Sequence, residues 1–147
     1  MDYAAAFAIS ASGMLVAKTR VDVTAVNLAN AYSTRSADGA LFTPLQVVAA
    51  ARRADLFRGL LGRADPTVAL GGAQVVEVRR TNVPPRLVFE PRHPDADAKG
   101  FVAYPGINPV LEQVNLVTAT RIYEANVAAL NAAKSMALKA LDLGKTS

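Results

Sequence analysis

The chain has 147 residues, enough for one domain or for a small core with extended arms; 52% are hydrophobic but only 6% aromatic, and there is no tryptophan, so its apolar mass is alanine, valine and leucine, a composition that suits interlocking helices better than an aromatic ligand pocket. Lys and Arg number 16 against 12 Asp and Glu, a formal +4 that is mild and scattered (Arg52, Arg53, Arg58, Arg63, Arg79, Arg80, Arg86, Arg92), unlike the concentrated charge with interleaved aromatics of a nucleic-acid binder. With no cysteine, disulfides and thiolate metal sites are excluded, and no apolar run has the length needed to span a bilayer.

The chain opens Met1-Asp2-Tyr3, without a basic leader or a small-residue cleavage pattern, so no cleaved signal peptide is expected. From Ala4 to Ala29 a long helix is predicted, because Phe7, Ala11, Met14, Lys18, Val21, Ala25 and Leu28 recur at steps of four and three. A second seam runs through Ile9, Val16, Val23 and Val26. Gly13 lies inside this helix at a cost of about 1 kcal/mol relative to alanine, so packing must hold it. The segment Asn27 to Asn30 is expected to end the helix, since asparagine tolerates the left-handed backbone that closes one. A polar connector follows, with Asp38-Gly39 as its turn signal.

The middle of the chain changes period. All 8 prolines lie between Pro44 and Pro109, and short β-branched runs between them predict strands at Leu45–Ala50, Gln74–Arg80, Arg86–Glu90 and Gly100–Ala103. These make a small antiparallel unit. Residues 55–72 are glycine-rich with few strand signals and are expected to form a flexible loop. The single histidine, His93, stands in a segment where Asp95, Asp97 and Gly100 match the opening of a calcium loop, but Lys99 at the fifth position and Gly106 at the twelfth break the pattern. A turn capped by aspartate side chains explains the segment better. No serine sits in a nucleophile elbow, and Gly71-Gly72 and Gly59 to Gly62 lack the lysine and hydroxyl of a phosphate loop. No catalytic residue, metal ligand, cofactor or small-molecule ligand is therefore expected, and an enzyme is the weakest reading.

From Val110 to Leu143 there is neither glycine nor proline, and the helical rhythm predicts a rod of about 50 Å. One seam reads Leu116, Thr120, Tyr123, Val127, Leu130, Lys134, Ala137, Leu141; a second reads Ile122, Asn126, Ala129, Ala133, Met136, Ala140, Leu143. A helix that is apolar nearly all round must be enclosed by several neighbours, and one chain of this length cannot supply them. Its alanines leave a slim cylinder that other backbones can approach closely. Asn126, Lys134 and Lys18 stand in the seams where apolar residues would pack more stably, so they either fix register or reach out to solvent. The fold class is α+β: long antiparallel, coiled-coil-like terminal helices (residues 1–31 plus 110–147) with a small antiparallel β-rich middle (residues 32–109).

The motifs also carry a resemblance. The opening Ile9-Ser10-Ala11-Ser12-Gly13-Met14, the box Val26-Asn27-Leu28-Ala29-Asn30-Ala31 followed by Ser33-Thr34, the run His93-Pro94-Asp95-Ala96-Asp97 with Gly100 to Pro105, and the blocks Arg121 to Asn126 and Asn131 to Ala137 resemble the axial proteins of the bacterial flagellum, and among them the rod proteins of the proximal basal-body rod. The likeness covers both ends and the second half of the middle. Thr43-Pro44, Glu90 and Phe101 depart from it, which concerns the surface of the middle region only. The resemblance implies export through the flagellar type III apparatus without a cleaved signal, and helical assembly in the periplasm, with the terminal helices in the inner wall and the β-rich part outside. It implies a torque-transmitting structural role, with copies of the same chain, other rod proteins and the export-gate adaptor at the rod base as partners, and without nucleic acid or membrane insertion. The subunit-contact residues are then Phe7, Met14, Val21, Leu28, Asn27, Asn30, Leu116, Tyr123, Asn126, Val127, Leu130, Met136 and Leu141. Two other readings compete: a basic helical nucleic-acid-binding protein, which requires Arg52, Arg53, Arg79 and Arg80 to form one patch, and an amphipathic membrane-surface protein, disfavoured by alanine-rich seams without basic flanks.

Overall fold

Good helix formers at both ends and β-branched residues punctuated by proline between them give the element order of the chain. The computed structural model describes residues 3–35, 39–53 and 70–145. Helix α1 spans Tyr3–Asn30, strands β1 to β4 span Leu45–Arg53, Leu70–Arg80, Arg86–Phe89 and Phe101–Tyr104, and helix α2 spans Pro109–Lys145. The fold is α+β, two long helices flanking a small antiparallel β region, as the periodicities predict. Of the loop expected over 55–72, Leu70 to Gly72 open β2 instead, and residues 55–69 lie outside the described part.

The helix ends follow local chemistry. Asn108 caps α2: its side-chain oxygen accepts from the amides of Val110 (3.0 Å) and Leu111 (3.3 Å), and Pro109 takes the first helical position, where a missing N–H costs nothing. Glu112 puts an acidic group in that first turn, which the helix dipole favours. At the end of α1 the expected left-handed asparagine does not occur; among the described residues only glycines take positive φ. Asn30 instead bonds the carbonyl of Val26 through its side chain (2.8 Å), and the Ser33 amide donates to the Asn30 carbonyl (3.1 Å). The side chain does the closing, so the backbone need not turn over.

The described residues form two compact units, one from those within 1–19, 49–76 and 119–147, the other from those within 20–48 and 77–118. Each pairs a stretch of α1 with a stretch of α2, the earlier stretch of one with the later stretch of the other, the order of an antiparallel pair. In the first unit Ser10, Val16, Ala17, Ala119 and Ala133 are buried. In the second, Thr24, Asn27 and Ala31 of α1 and its extension are buried, as are Val102, Tyr104, Pro105 and Ile107.

The strands make two two-stranded sheets, β1 with β2 and β3 with β4. In the second unit the Pro44 carbonyl accepts the Thr81 amide (2.8 Å) and the Gln46 side chain accepts from Arg79 (3.1 and 3.3 Å), so β1 and β2 run in opposite directions. Strands β3 and β4 pair antiparallel, Arg86 opposite Tyr104 and Phe89 opposite Phe101. Strict alternation then sends Val102 and Tyr104 inward and leaves Leu87, Phe89 and Phe101 on the outer face, where the two phenylalanine rings meet edge to face at 5.3 Å.

Candidate assembly surface

In the first unit Gly13 of α1 and Asn126 of α2 approach each other closely. A methyl group added at Gly13 would lie 2.5 Å from Asn126 Oδ1, so any larger residue there would force that side chain out of its place. The face of α1 turned inward is mostly small: Ser10, Gly13 and Ala17 lie at steps of three and four, with Val16 buried beside them. The larger Phe7 and Met14 flank it, half-buried, as Val21 and Leu28 flank Thr24 and Asn27 in the second unit. On α2 the covered positions of the first unit are Ala119, Asn126, Val127, Leu130, Ala133 and Ala137; those of the second are Pro109, Glu112 and Leu116. This seam takes members from each of the two predicted ones.

The remaining apolar residues of α2 face outward. In the second unit Val110, Leu111, Val114 and Val117 are each more than half exposed, at 69, 56, 56 and 54%. In the first unit Leu138, Leu141 and Leu143 are exposed at 53, 63 and 73%, and Ile122, Tyr123 and Met136 lie open beside alanines 125, 129, 132 and 140. Single exposed leucines are ordinary on a protein surface, whereas a line of them along a helix marks a face built to be covered. Of the predicted contact residues, Tyr123, Met136 and Leu141 are exposed; Phe7, Met14, Val21, Leu28, Asn30, Leu116, Asn126, Val127 and Leu130 are half-buried, and Asn27 is buried. Lys18 and Lys134, left open between register and solvent, are both exposed.

Asn27 has work to do inside its own unit. Its amide accepts from the Leu45 N–H (2.8 Å), donates to the Leu45 carbonyl (2.8 Å) and reaches Glu112 Oε2 (3.3 Å), so one side chain imitates a strand partner for the start of β1 and ties it to the first turn of α2. The motif was visible in the sequence, but its partners are far along the chain and no spacing rule names them. Beyond the helix, Thr34 and Arg35 both reach Asp95, each at 2.7 Å. Tyr32 meets Tyr104 edge to face (6.4 Å), and the Arg86 guanidinium lies 5.8 and 5.5 Å from the two ring centres. Tyr104 donates to Glu90 (3.0 Å), and burial pushes its phenol pKa above the usual 10.0, the Glu90 bond and charge adding to that and Arg86 opposing it.

The carboxylates of the His93 segment are spent on structure. Asp97 accepts from the amides of Lys99 and Phe101, both at 2.8 Å, and the Asp95 amide donates to His93 Nδ1 (3.0 Å), the aspartate-capped turn expected of this segment. Arg52 and Arg53 belong to the first unit and Arg79 and Arg80 to the second, so neither unit gathers the four into one basic patch. Among the described residues no helix is long and apolar enough to cross a membrane.

Comparison with known proteins agrees with these features. Residues 98–143 match the family described as flagellar basal body rod FlgEFG protein C-terminal. Flagellar basal-body rod protein FlgC of Escherichia coli (strain CFT073) is 41% identical over 139 residues, covering 95% of this chain and 96% of that protein. The FlgC proteins of Salmonella typhimurium and Bacillus subtilis are 40% and 36% identical, over 95% and 93% of this chain and 96% and 95% of theirs. With such likeness running nearly end to end, the chain belongs to the FlgC family of flagellar basal-body rod proteins.

Proposed function

We propose that this chain is a structural subunit of the bacterial flagellar basal-body rod, which it helps to build by lending its open helix faces to neighbouring subunits. The observation that carries the reading is the apolar surface that α2 leaves open: Val110, Leu111, Val114 and Val117 in one unit, and Leu138, Leu141 and Leu143 in the other, are all more than half exposed in the lone chain. Leaving that much apolar surface in water is unfavourable, at about 25 cal/mol per Å², and other subunits relieve it. A rod carries load through many such contacts and needs no reactive group.

Within that role, the subunit sits in the proximal rod, in the periplasm, after export by the flagellar type III apparatus without loss of a signal segment. The helical arms, residues 1–31 and 110–147, line the inner wall and residues 32–109 lie outside. Its neighbours are copies of itself, other rod proteins and, at the base, the export-gate adaptor. Tyr123, Met136 and Leu141 make subunit contacts directly. Phe7, Met14, Val21, Leu28, Asn30, Leu116, Val127 and Leu130 contribute at the edges of the seam, and Asn27 and Asn126 set the positions of the helices that present them.

The test is Ile122→Glu combined with Met136→Glu, two changes on the open side of α2. The purified variant should keep wild-type helicity by circular dichroism, fail to enter basal bodies and leave cells non-motile. Normal motility with this variant as the sole copy would defeat the proposal.

A further inference from the structure

Apart from Val16, the inward face of α1 in the first unit is built from small residues, and small faces are poor at fixing register. Ala17 of α1 and Ala119 and Ala133 of α2, all buried in this unit, are too small and too alike to distinguish one heptad from the next. Gly13 and Asn126 do distinguish them. The Asn126 side chain fills the space that a Cβ at position 13 would occupy, 2.5 Å from its Oδ1, 2.8 Å from its Cγ and 2.9 Å from its Nδ2. Its orientation is held from its own helix, where Nδ2 donates to the Ile122 carbonyl at 2.8 Å. Slide α1 by seven residues either way and the position is taken by Ala6 or Arg20, whose side chains meet the amide head-on.

The same turn of α1 also anchors the strand. Ser12 Oγ accepts from the Ala73 amide (3.0 Å) while donating to the Ile9 carbonyl (2.7 Å). Gly72, at φ +89°, lets the backbone of β2 come so close that a Cβ there would strike Ser12. The glycine of one strand and the glycine of one helix are thus both required by neighbours within a single turn.

We propose that Gly13 and Asn126 act as notch and peg, a register device that allows one alignment of α1 on α2 and excludes the heptad-shifted ones, with Ser12 carrying that alignment to β2. The notch explains why a glycine that lowers helix propensity by about 1 kcal/mol stands in mid-helix. It also separates register from stability: Gly13→Ala should favour the isolated helix while spoiling the alignment.

Because the chain has no cysteine of its own, the test places nitroxide labels at Leu15→Cys and Leu138→Cys, both exposed positions of the first unit, and measures the distance between them by pulsed electron resonance on the full chain. The otherwise native chain should give one distance. Gly13→Ala and Asn126→Ala should each add a second population displaced by up to about 10 Å, the length of seven helical residues, with helicity undiminished. The exchange variant, Gly13→Asn with Asn126→Gly, moves the peg to the other helix and should return a single distance. Absence of a single distance in the native background, or retention of that distance in both single variants, would overturn the proposal.

Discussion

Asn27 and Tyr104 show how much a single buried polar group holds when its partners are distant in sequence. Asn27 is 4% exposed and spends its amide on both backbone groups of Leu45 and on Glu112. Asn27→Ala strands the Leu45 N–H and carbonyl together, and each buried unpaired group costs about 1–3 kcal/mol. Asn27→Asp should be no milder, since a carboxylate cannot donate to Leu45 and faces Glu112. Urea denaturation should report the loss, and amide exchange should localise it to the start of β1 and the first turn of α2; protection unchanged at Leu45 would contradict the assignment. Tyr104 gives a prediction in pH. Burial, first, and then Glu90 raise its pKa in the fold, so the native state favours the protonated phenol. That contribution is whole below the unfolded value of about 10 and disappears as pH climbs through the raised folded value. Tyr104→Phe should therefore flatten the alkaline fall in stability; an alkaline limb as steep as that of the parent would count against it. The role of Asn27 was only half legible: its box pointed to an ordered helix end, but the hydrogen bonds that matter join positions 18 and 85 residues apart, beyond any local rule.

Among the elements, the helices were the most legible and the faces they bury the least. Unbroken 3.6-residue rhythm without glycine or proline gave α2 nearly to the residue, and β-branched runs between prolines gave all four strands. The inward face of α1 escaped in part because periodicity was read through large apolar side chains, while its buried positions include Ser10 and Ala17 and its contact with Asn126 uses Gly13. Gly13 looked like a weakness for the same reason. The β3–β4 hairpin offers a check at this scale. Its turn is closed by Asp97 and by Gly100 at φ +82°, where an added Cβ would lie 2.9 Å from the Phe89 ring and 3.1 Å from Pro91 Cβ. Gly100→Ala combines backbone strain with that clash and should destabilise by about 1–3 kcal/mol, whereas Asn108→Ala, which removes only the cap of α2, should take away about 1 kcal/mol. Thermal melts of the two variants, side by side, test the order; a milder effect at Gly100 than at Asn108 would show that the hairpin turn can relax.

At the scale of the whole molecule, one helix carries apolar residues with opposite relations to stability. Leu130 and Leu141 stand in the same predicted seam, but Leu130 is half-buried in the lone chain and Leu141 is 63% exposed. Putting a carboxylate at the half-buried Leu130 removes part of a charge's hydration and should destabilise the isolated chain by about 1–3 kcal/mol. Putting one at Leu141 leaves most of the side chain in water, and its effect should stay within about 0.5 kcal/mol. Assembly reverses that insensitivity, because a rod subunit must bury its open apolar residues against neighbours, and a carboxylate there meets apolar surface with no counter-charge in reach. Leu141→Glu should thus melt like the parent in dilute solution yet compete poorly for places in the basal body when both proteins are expressed together, while Leu130→Asp should fail in both settings. If Leu141→Glu enters rods as readily as the parent, that position faces solvent in the assembly as well, and the contact must be sought further toward Val110 and Val114.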